Sequence, residues 1–247
     1  VSDPPDAYPT IRAALGEVTT ARLDLRRPRP GDLDALAEIF AQPDVWRFPF
    51  GEGFDRARTA AFLDRQIEAW RTRRFGTWFA FERATAALVG YVGLSVPTFL
   101  PEILPAVEVG WRLAPSAWGR GYATEGARAA LREAFTTLGL AEVCCIIQPE
   151  NHASVRVAGR LGFAAVRTTT APGLPERAAW EVTVLRLDRR SWSEATGAVA
   201  DGAVTDGAVT DGAVTDGAVT DGAVTDGEVV DGADGATTDH GPGATGP

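Results

Sequence analysis

The clearest periodicity in the chain lies over residues 106–113, where Val107, Val109, Trp111 and Leu113 alternate with Glu108, Gly110 and Arg112. Period two is the signature of a half-buried strand with its apolar side inward. A short Ala-Pro-Ser loop follows, and then the period changes. Ala123, Ala127, Ala130, Leu131, Ala134, Phe135 and Leu138 recur at helical spacing until Gly139 closes the run. Between strand and helix stand Gly119 and Gly121. Strand, glycine turn and helix in that order build an anion site, because the first amides of a helix lack partners within it and the macrodipole adds positive charge there. The glycines let a phosphate approach the backbone, and Arg120 offers a guanidinium suited to phosphate oxygens. Taken alone, the same turn also serves packing.

The other elements follow from shorter patterns. Residues 22–26 alternate as a first strand, and Asp32 opens a helix with Leu33, Leu36, Ile39 and Phe40 on one side. The aromatic stretch from Trp46 to Phe54 has no period and reads either as core plugs or as the lining of an acceptor pocket. Asp55 caps a second helix whose arginines read as a solvated face. Residues 77–82 and 88–96 read as an antiparallel hairpin. Residues 143–147 form an apolar strand, 152–161 a helix, and 163–167 with 180–188 two further strands. Cys144 and Cys145 are neighbours on a strand and point to opposite faces, so they read as buried core residues rather than a redox or metal pair.

Composition divides the chain near Gly197. Beyond it stand GAVAD, five copies of GAVTD, and GEVVD. The formal charge of −9 belongs to this tail: nine Asp, one Glu and no Arg give it −10, leaving +1 for residues 1–196. A near-neutral body argues against nucleic-acid binding, which needs a basic footprint, and no apolar run has the length of a membrane span. The repeat has one Val in five and an acid in every unit, too little hydrophobicity to offset ordering, so disorder is expected over 197–247. All basic residues are Arg, and the first residue is Val, consistent with a non-ATG start or an incomplete N-terminus. Core cysteines and no secretory h-region suggest the cytoplasm. Oligomeric state has no signature in the sequence.

The stretch Trp118-Gly119-Arg120-Gly121-Tyr122-Ala123-Thr124 resembles motif A of the GNAT superfamily of acetyltransferases, in the form seen in its RimJ/RimL-like branch, the ribosomal-protein-alanine N-acetyltransferase type. Asn151-His152-Ala153-Ser154 is similar to that branch's N-x-x-S motif, followed by Leu161-Gly162-Phe163 at the usual distance. The resemblance implies an α/β (α+β) fold over 18–190: a mixed, mostly antiparallel central sheet flanked by helices. It also implies acetyl-CoA as cosubstrate, no metal, and an amine acceptor, either a protein N-terminus or a small molecule. In that fold the strands of Glu108 and Ile147 splay, and pantetheine inserts between them. Trp111, Arg112 and Leu113 would contact pantetheine, residues 118–124 (Trp118, Gly119, Arg120, Gly121, Tyr122, Ala123, Thr124) the pyrophosphate, and Asn151 with Ser154 the far wall. Gly110 would mark a bulge or close backbone approach.

Acetyl transfer needs a neutral amine and a way to protonate the departing thiolate. Glu108 is the candidate base, since matching strands carry a catalytic Glu in some members; alternatively it is an ion-pair partner of Arg112 on the same side of the strand. Ala158 stands where many members carry an acid Tyr, leaving Ser154, Tyr122 or water for that step. Asn151 and Ser154 also read as a helix N-cap and a first-turn residue. The rival functions are a catalytically silent acyl-CoA-binding module and an interaction protein acting through the acidic tail.

Overall fold

The alternating runs join into one eight-stranded sheet in the order β1-β2-β3-β4-β5-β6-β8-β7. The computed structural model describes residues 13–173 and 178–197. The strands are β1 (Val18–Thr19), β2 (Leu23–Arg26), β3 (Thr77–Glu82), β4 (Leu88–Ser95), β5 (Glu108–Leu113), β6 (Glu142–Ile147), β7 (Ala164–Ala171) and β8 (Trp180–Asp188). All neighbours pair antiparallel except β5 and β6, which are parallel. The helices are α1 (Leu33–Phe40), α2 (Arg56–Arg73), α3 (Tyr122–Thr136), α4 (His152–Arg160) and α5 (Arg189–Thr196). This is the mixed, mostly antiparallel sheet flanked by helices that the sequence predicts.

Helix α3 is the crossover that parallel pairing of β5 and β6 requires. It packs Ala123, Ala127, Ala130, Leu131 and Ala134 against Val109, Trp111 and Leu113, together with Val157 and Ala158 of α4. Alanines on the inward side of α3 let helix and sheet approach closely. The opposite face carries two clusters. Phe40, Trp46, Phe54, Phe62, Phe79 and Tyr91 pack beneath α1 and α2, with Trp46 stacked on Phe54 at 3.6 Å. Phe99, Leu100, Ile103, Cys144, Ile146 and Val184 form the other. The aromatic stretch is therefore mostly core.

Several local expectations are revised. The strand β5 is buried on both faces, since Glu108 and Arg112 are as inaccessible as Val109. Gly110 marks no bulge: β4 and β5 pair without a shift from Gly90 to Ser95. The register shifts lie instead between β3 and β4, at Ala80 and Phe81, and between β7 and β8, at Ala165 and Arg167. Asp32 does not cap α1 through its side chain; its carboxylate pairs with Arg26 at 2.5 Å and accepts the Arg29 amide at 2.7 Å. Asp55 does cap α2, accepting the Arg58 amide at 2.7 Å. Strand β7 runs on to Ala171, and α5 adds a helix that the sequence reading omitted, docked by Trp192 against Phe135. Cys144 and Cys145 are free and buried in clusters on opposite faces. The GAVTD repeats lie outside the described residues.

Candidate active site

The site begins where the sheet opens. Strands β5 and β6 share one paired position, Glu108 with Cys144, reinforced by the Cys144 amide donating to Val107 O at 2.9 Å. Beyond it β5 stays paired to β4 as far as Leu113, and β6 stays paired to β8 as far as Ile147. The two strands part while each remains held on its outer side. Such a gap presents main-chain donors and acceptors inside the fold, and an extended ligand with amides of its own can take the place of the missing strand.

The loop that leaves β5 sits at the mouth of this gap. Trp118 donates its indole N–H to Leu113 O at 2.9 Å, tying the loop to the strand end. Gly119 (φ +70) and Gly121 (φ +75) adopt the left-handed conformation, and Gly121 is the N-cap of α3. The first helical bond runs from Glu125 N to Gly121 O at 3.0 Å, so Tyr122, Ala123 and Thr124 supply the amides that have no partner within the helix. A Cβ at Gly119 would meet nothing within 4 Å. The turn is thus an open, amide-lined cradle of the kind that takes an anion.

The side chains beside the cradle are engaged elsewhere. Arg120 pairs with Glu82, the last residue of β3, and lies 4.7 Å from the Tyr122 ring centroid. Tyr122 is buried and donates its hydroxyl to the same Glu82 oxygen at 2.5 Å. The hydroxyls of Tyr122 and Thr85 hold the Glu82 carboxyl below the usual carboxylate range, while burial and then Glu82 push the Tyr122 phenol up. The cradle therefore faces outward with its backbone, and Arg120 and Tyr122 face the β2–β3 edge. Glu82 was not singled out in the sequence, because its partners lie some forty residues away.

The far wall is the N-terminus of α4. Asn151 caps it, its Oδ1 accepting the Ser154 amide at 3.2 Å, and both side chains are buried. Ala158, one turn further on, is in the core under α3. Among the described residues, Trp111 Nε1, Gln148 Oε1 and Asn151 Nδ2 are buried polar atoms without a hydrogen-bond partner, and all three belong to elements bordering the gap. Others, Trp46 Nε1 and Arg186 Nε, lie away from the gap; the three along its walls are placed to meet a polar ligand there. Gln148 was also missed, although a single polar residue closing the run 143–147 was a visible signal.

On the other face lies Glu108, wholly buried, with Ser95 Oγ 3.4 Å from its Oε2. Arg112 lies further along the same face. Its guanidinium donates to Val45 O, to Phe48 O at 3.0 Å and to Tyr91 Oη at 3.2 Å, and it stacks 3.8 Å from the Trp46 ring centroid. Its side chain is thus directed into the aromatic cluster, while its backbone borders the gap. Burial, and then the Glu108 charge, raise the Cys144 thiol well above its ordinary value. His152 is exposed. Among the described residues no group of three His, Cys, Asp or Glu is placed to hold a metal, and no helix is long and apolar enough to cross a membrane.

A parted parallel strand pair, a glycine cradle at its mouth and orphaned polar atoms along its walls fit an acyl-CoA. Comparison with known proteins agrees. The model of the acetyltransferase (GNAT) domain matches residues 22–164, more than half of the chain and the run of elements from β2 to α4. A relative from Aspergillus fumigatus named FsC-acetyl coenzyme A-N(2)-transacetylase is 41% identical over 174 residues, covering 64% of this chain and 71% of its own. An acetyltransferase structure from Agrobacterium tumefaciens superposes with a TM-score of 0.56 at 27% identity, covering 73% of this chain and 99% of that one. A putative ribosomal-protein-serine acetyltransferase from Vibrio cholerae shares the fold, with a TM-score of 0.59 at 22% identity over 70% of this chain and 97% of that one. The protein belongs to the GNAT acetyltransferase family and is an acyl-CoA-dependent N-acetyltransferase.

Proposed function

We propose that the protein transfers the acetyl group of acetyl-CoA to a primary amine by direct attack in a ternary complex, with Glu108 as general base. The observation that carries this is the place of Glu108: a buried carboxylate at the last position where β5 and β6 touch. The diphosphate end is held at the cradle of residues 118–124. The five residues of β5 beyond Glu108 span roughly 17 Å at strand rise, which suits an extended pantetheine arm whose thioester reaches the apex of the gap. The backbones of Trp111, Arg112 and Leu113 then border the arm on one side, and Asn151 and Ser154 on the other. Strand alternation puts Glu108 on the α1–α2 face, whereas Ser154 stands in the first turn of α4, which packs with α3 on the other face, so base and candidate acid approach the thioester from opposite sides.

Attack of the amine nitrogen on the carbonyl carbon forms the C–N bond, and collapse breaks the C–S bond. The proton released from nitrogen passes to Glu108 directly or through water. An α-amino group at about pKa 8 loses it far more readily than a lysine at about 10.4. The thiolate takes a proton from water or from Ser154, since Ala158 supplies none; a thiol of pKa about 8.5 is a tolerable leaving group unassisted. A backbone N–H of β5 can stabilise the tetrahedral oxyanion.

The acceptor is a small-molecule amine or a protein N-terminus. The name of the Aspergillus relative favours the first, and the Trp118–Thr124 loop, in its RimJ/RimL-like form, favours the second. Residues 18–190 form the catalytic domain in this reading, and the acidic tail from 197 is separate. Free buried cysteines suit a cytoplasmic enzyme.

Glu108→Gln tests the assignment by amine-dependent thiol release. Loss of a general base lowers kcat by about 100-fold or more with acetyl-CoA affinity unchanged. An unchanged rate would remove Glu108 from the mechanism, and no release by wild type with any amine would leave a silent acyl-CoA module.

A further inference from the structure

The glycine turn is tied down by more bonds than its own geometry needs. One Glu82 carboxylate oxygen receives both the Tyr122 hydroxyl, at 2.5 Å, and the Arg120 guanidinium, while the other receives the Thr85 hydroxyl at 2.8 Å. From the neighbouring strand edge, Arg22 donates to the Arg120 carbonyl at 2.8 Å and to Glu125 at 2.7 Å. Glu125, on the first turns of α3, also accepts from Thr20 Oγ1 at 2.6 Å and from Arg22 N at 2.7 Å. Arg22 and Arg120 both lie over the Tyr122 ring, at 5.0 and 4.7 Å from its centroid. The loop carbonyl, its one charged side chain and the first helical side chain are therefore all anchored to the paired ends of β2 and β3, across as many as 105 residues of sequence.

Two arginines and two glutamates balance in this cluster. A carboxylate beside an anion site opposes binding electrostatically unless it does something that outweighs its charge. What Glu82 does is hold two consecutive handles of the turn, at 120 and 122, on either side of the left-handed Gly121. That fixes which way the intervening amides point, and amide direction is what an anion cradle consists of.

We propose that Glu82 is a positioning residue for the CoA diphosphate: it holds Tyr122 and Arg120 on one carboxylate so that the amides of residues 119–124 are preset toward the ligand. Arg120 then serves as part of the scaffold rather than as a phosphate ligand. Glu82 itself touches neither substrate. This rests on the loop being the diphosphate site, and the experiment separates the two claims.

The measurement is kcat and KM for acetyl-CoA and for S-acetylpantetheine, the same thioester without the diphosphate and the nucleoside attached to it, in wild type, Glu82→Ala, Glu82→Gln and Tyr122→Phe. Glu82→Ala is expected to raise KM for acetyl-CoA about tenfold, the scale of one lost charge-assisted hydrogen bond, with kcat at saturation unchanged. It leaves the kinetics of S-acetylpantetheine as in wild type. Tyr122→Phe gives a smaller rise, and adding it to Glu82→Ala gives no further rise, since both act through one contact. Glu82→Gln, which can still accept from Tyr122, lies nearer wild type and serves if the alanine variant does not fold. Equal losses with both thioesters would mean that Glu82 merely supports the fold, and a KM for acetyl-CoA within twofold of wild type in both Glu82 variants would also overturn the proposal. Wild-type turnover no better with acetyl-CoA than with S-acetylpantetheine would instead refute the loop as the diphosphate site.

Discussion

Replacing Arg112 by methionine separates what its side chain does from what its backbone does. The guanidinium is wholly buried and donates to two carbonyls of the segment between α1 and α2, Val45 O and Phe48 O, and to Tyr91 Oη. Methionine fills much of the same volume against Trp46 but donates nothing, leaving two carbonyls to find other partners. Hydrogen bonds from a charged donor contribute about 1.5–3 kcal/mol each, and with the packing retained the loss is roughly 3–5 kcal/mol. For a domain of this size that lowers Tm by roughly 10 °C. Arg112→Lys keeps the charge without the planar fork and falls between. Circular dichroism melts give the first number, and acetyl-CoA titration with amine kinetics gives the rest. The loosened Val45–Phe48 segment borders the Glu108 face, so KM for the amine rises, while acetyl-CoA affinity, which sees only the Arg112 backbone, holds within twofold. An unchanged Tm, or a large loss of acetyl-CoA affinity in a variant as stable as wild type, would refute this placement of the side chain.

Two further outcomes follow from the buried ionisable groups. Cys144 and Cys145 have thiols raised well above their ordinary values by burial first and by the Glu108 charge second, so Ellman's reagent at pH 8 finds no protein thiol in the native enzyme and two per chain in guanidinium; a native reaction would contradict the packing. Tyr122 has its phenol raised by burial and by Glu82, so the stability it contributes is fully present below about pH 10 and is lost as pH rises through its folded value. The 295 nm difference between wild type and Tyr122→Phe should appear only above the range of a free phenol, and a difference arising at or below it would contradict the buried hydrogen bond.

The parts of the molecule legible in the sequence are those governed by local periodicity. The strand of Glu108, the glycine turn and the alanine-rich helix announce themselves within twenty residues, as does the alternation that sends Cys144 and Cys145 to opposite faces. What was misread depends on distant contacts. Glu108 and Arg112 occupy positions that a half-buried strand would expose, and only the aromatic cluster and the loop around Ile103, packed over that face, bury them. Asp32 resembles a helix cap but answers to Arg26 on the preceding strand. The pairing of Arg120 with Glu82, across the fold from β3, has no local pattern to announce it. Helix α5 has a single buried apolar residue, Trp192, too few to show a period.

The central claim is that the gap between β5 and β6, with the cradle at its mouth, receives acetyl-CoA. Its most direct test is calorimetric titration of acetyl-CoA into the full-length protein and into Gly121→Asp. Aspartate tolerates the left-handed conformation better than most residues, and a Cβ there would meet only the flexible end of Arg22, at 3.3 Å, so the variant keeps its fold. Its carboxylate, however, stands where a phosphate should sit. The account predicts saturable one-to-one binding to wild type and none to Gly121→Asp at a Tm within a few degrees. A folded wild type that takes up no acetyl-CoA, or a variant that binds it equally well, would contradict the account.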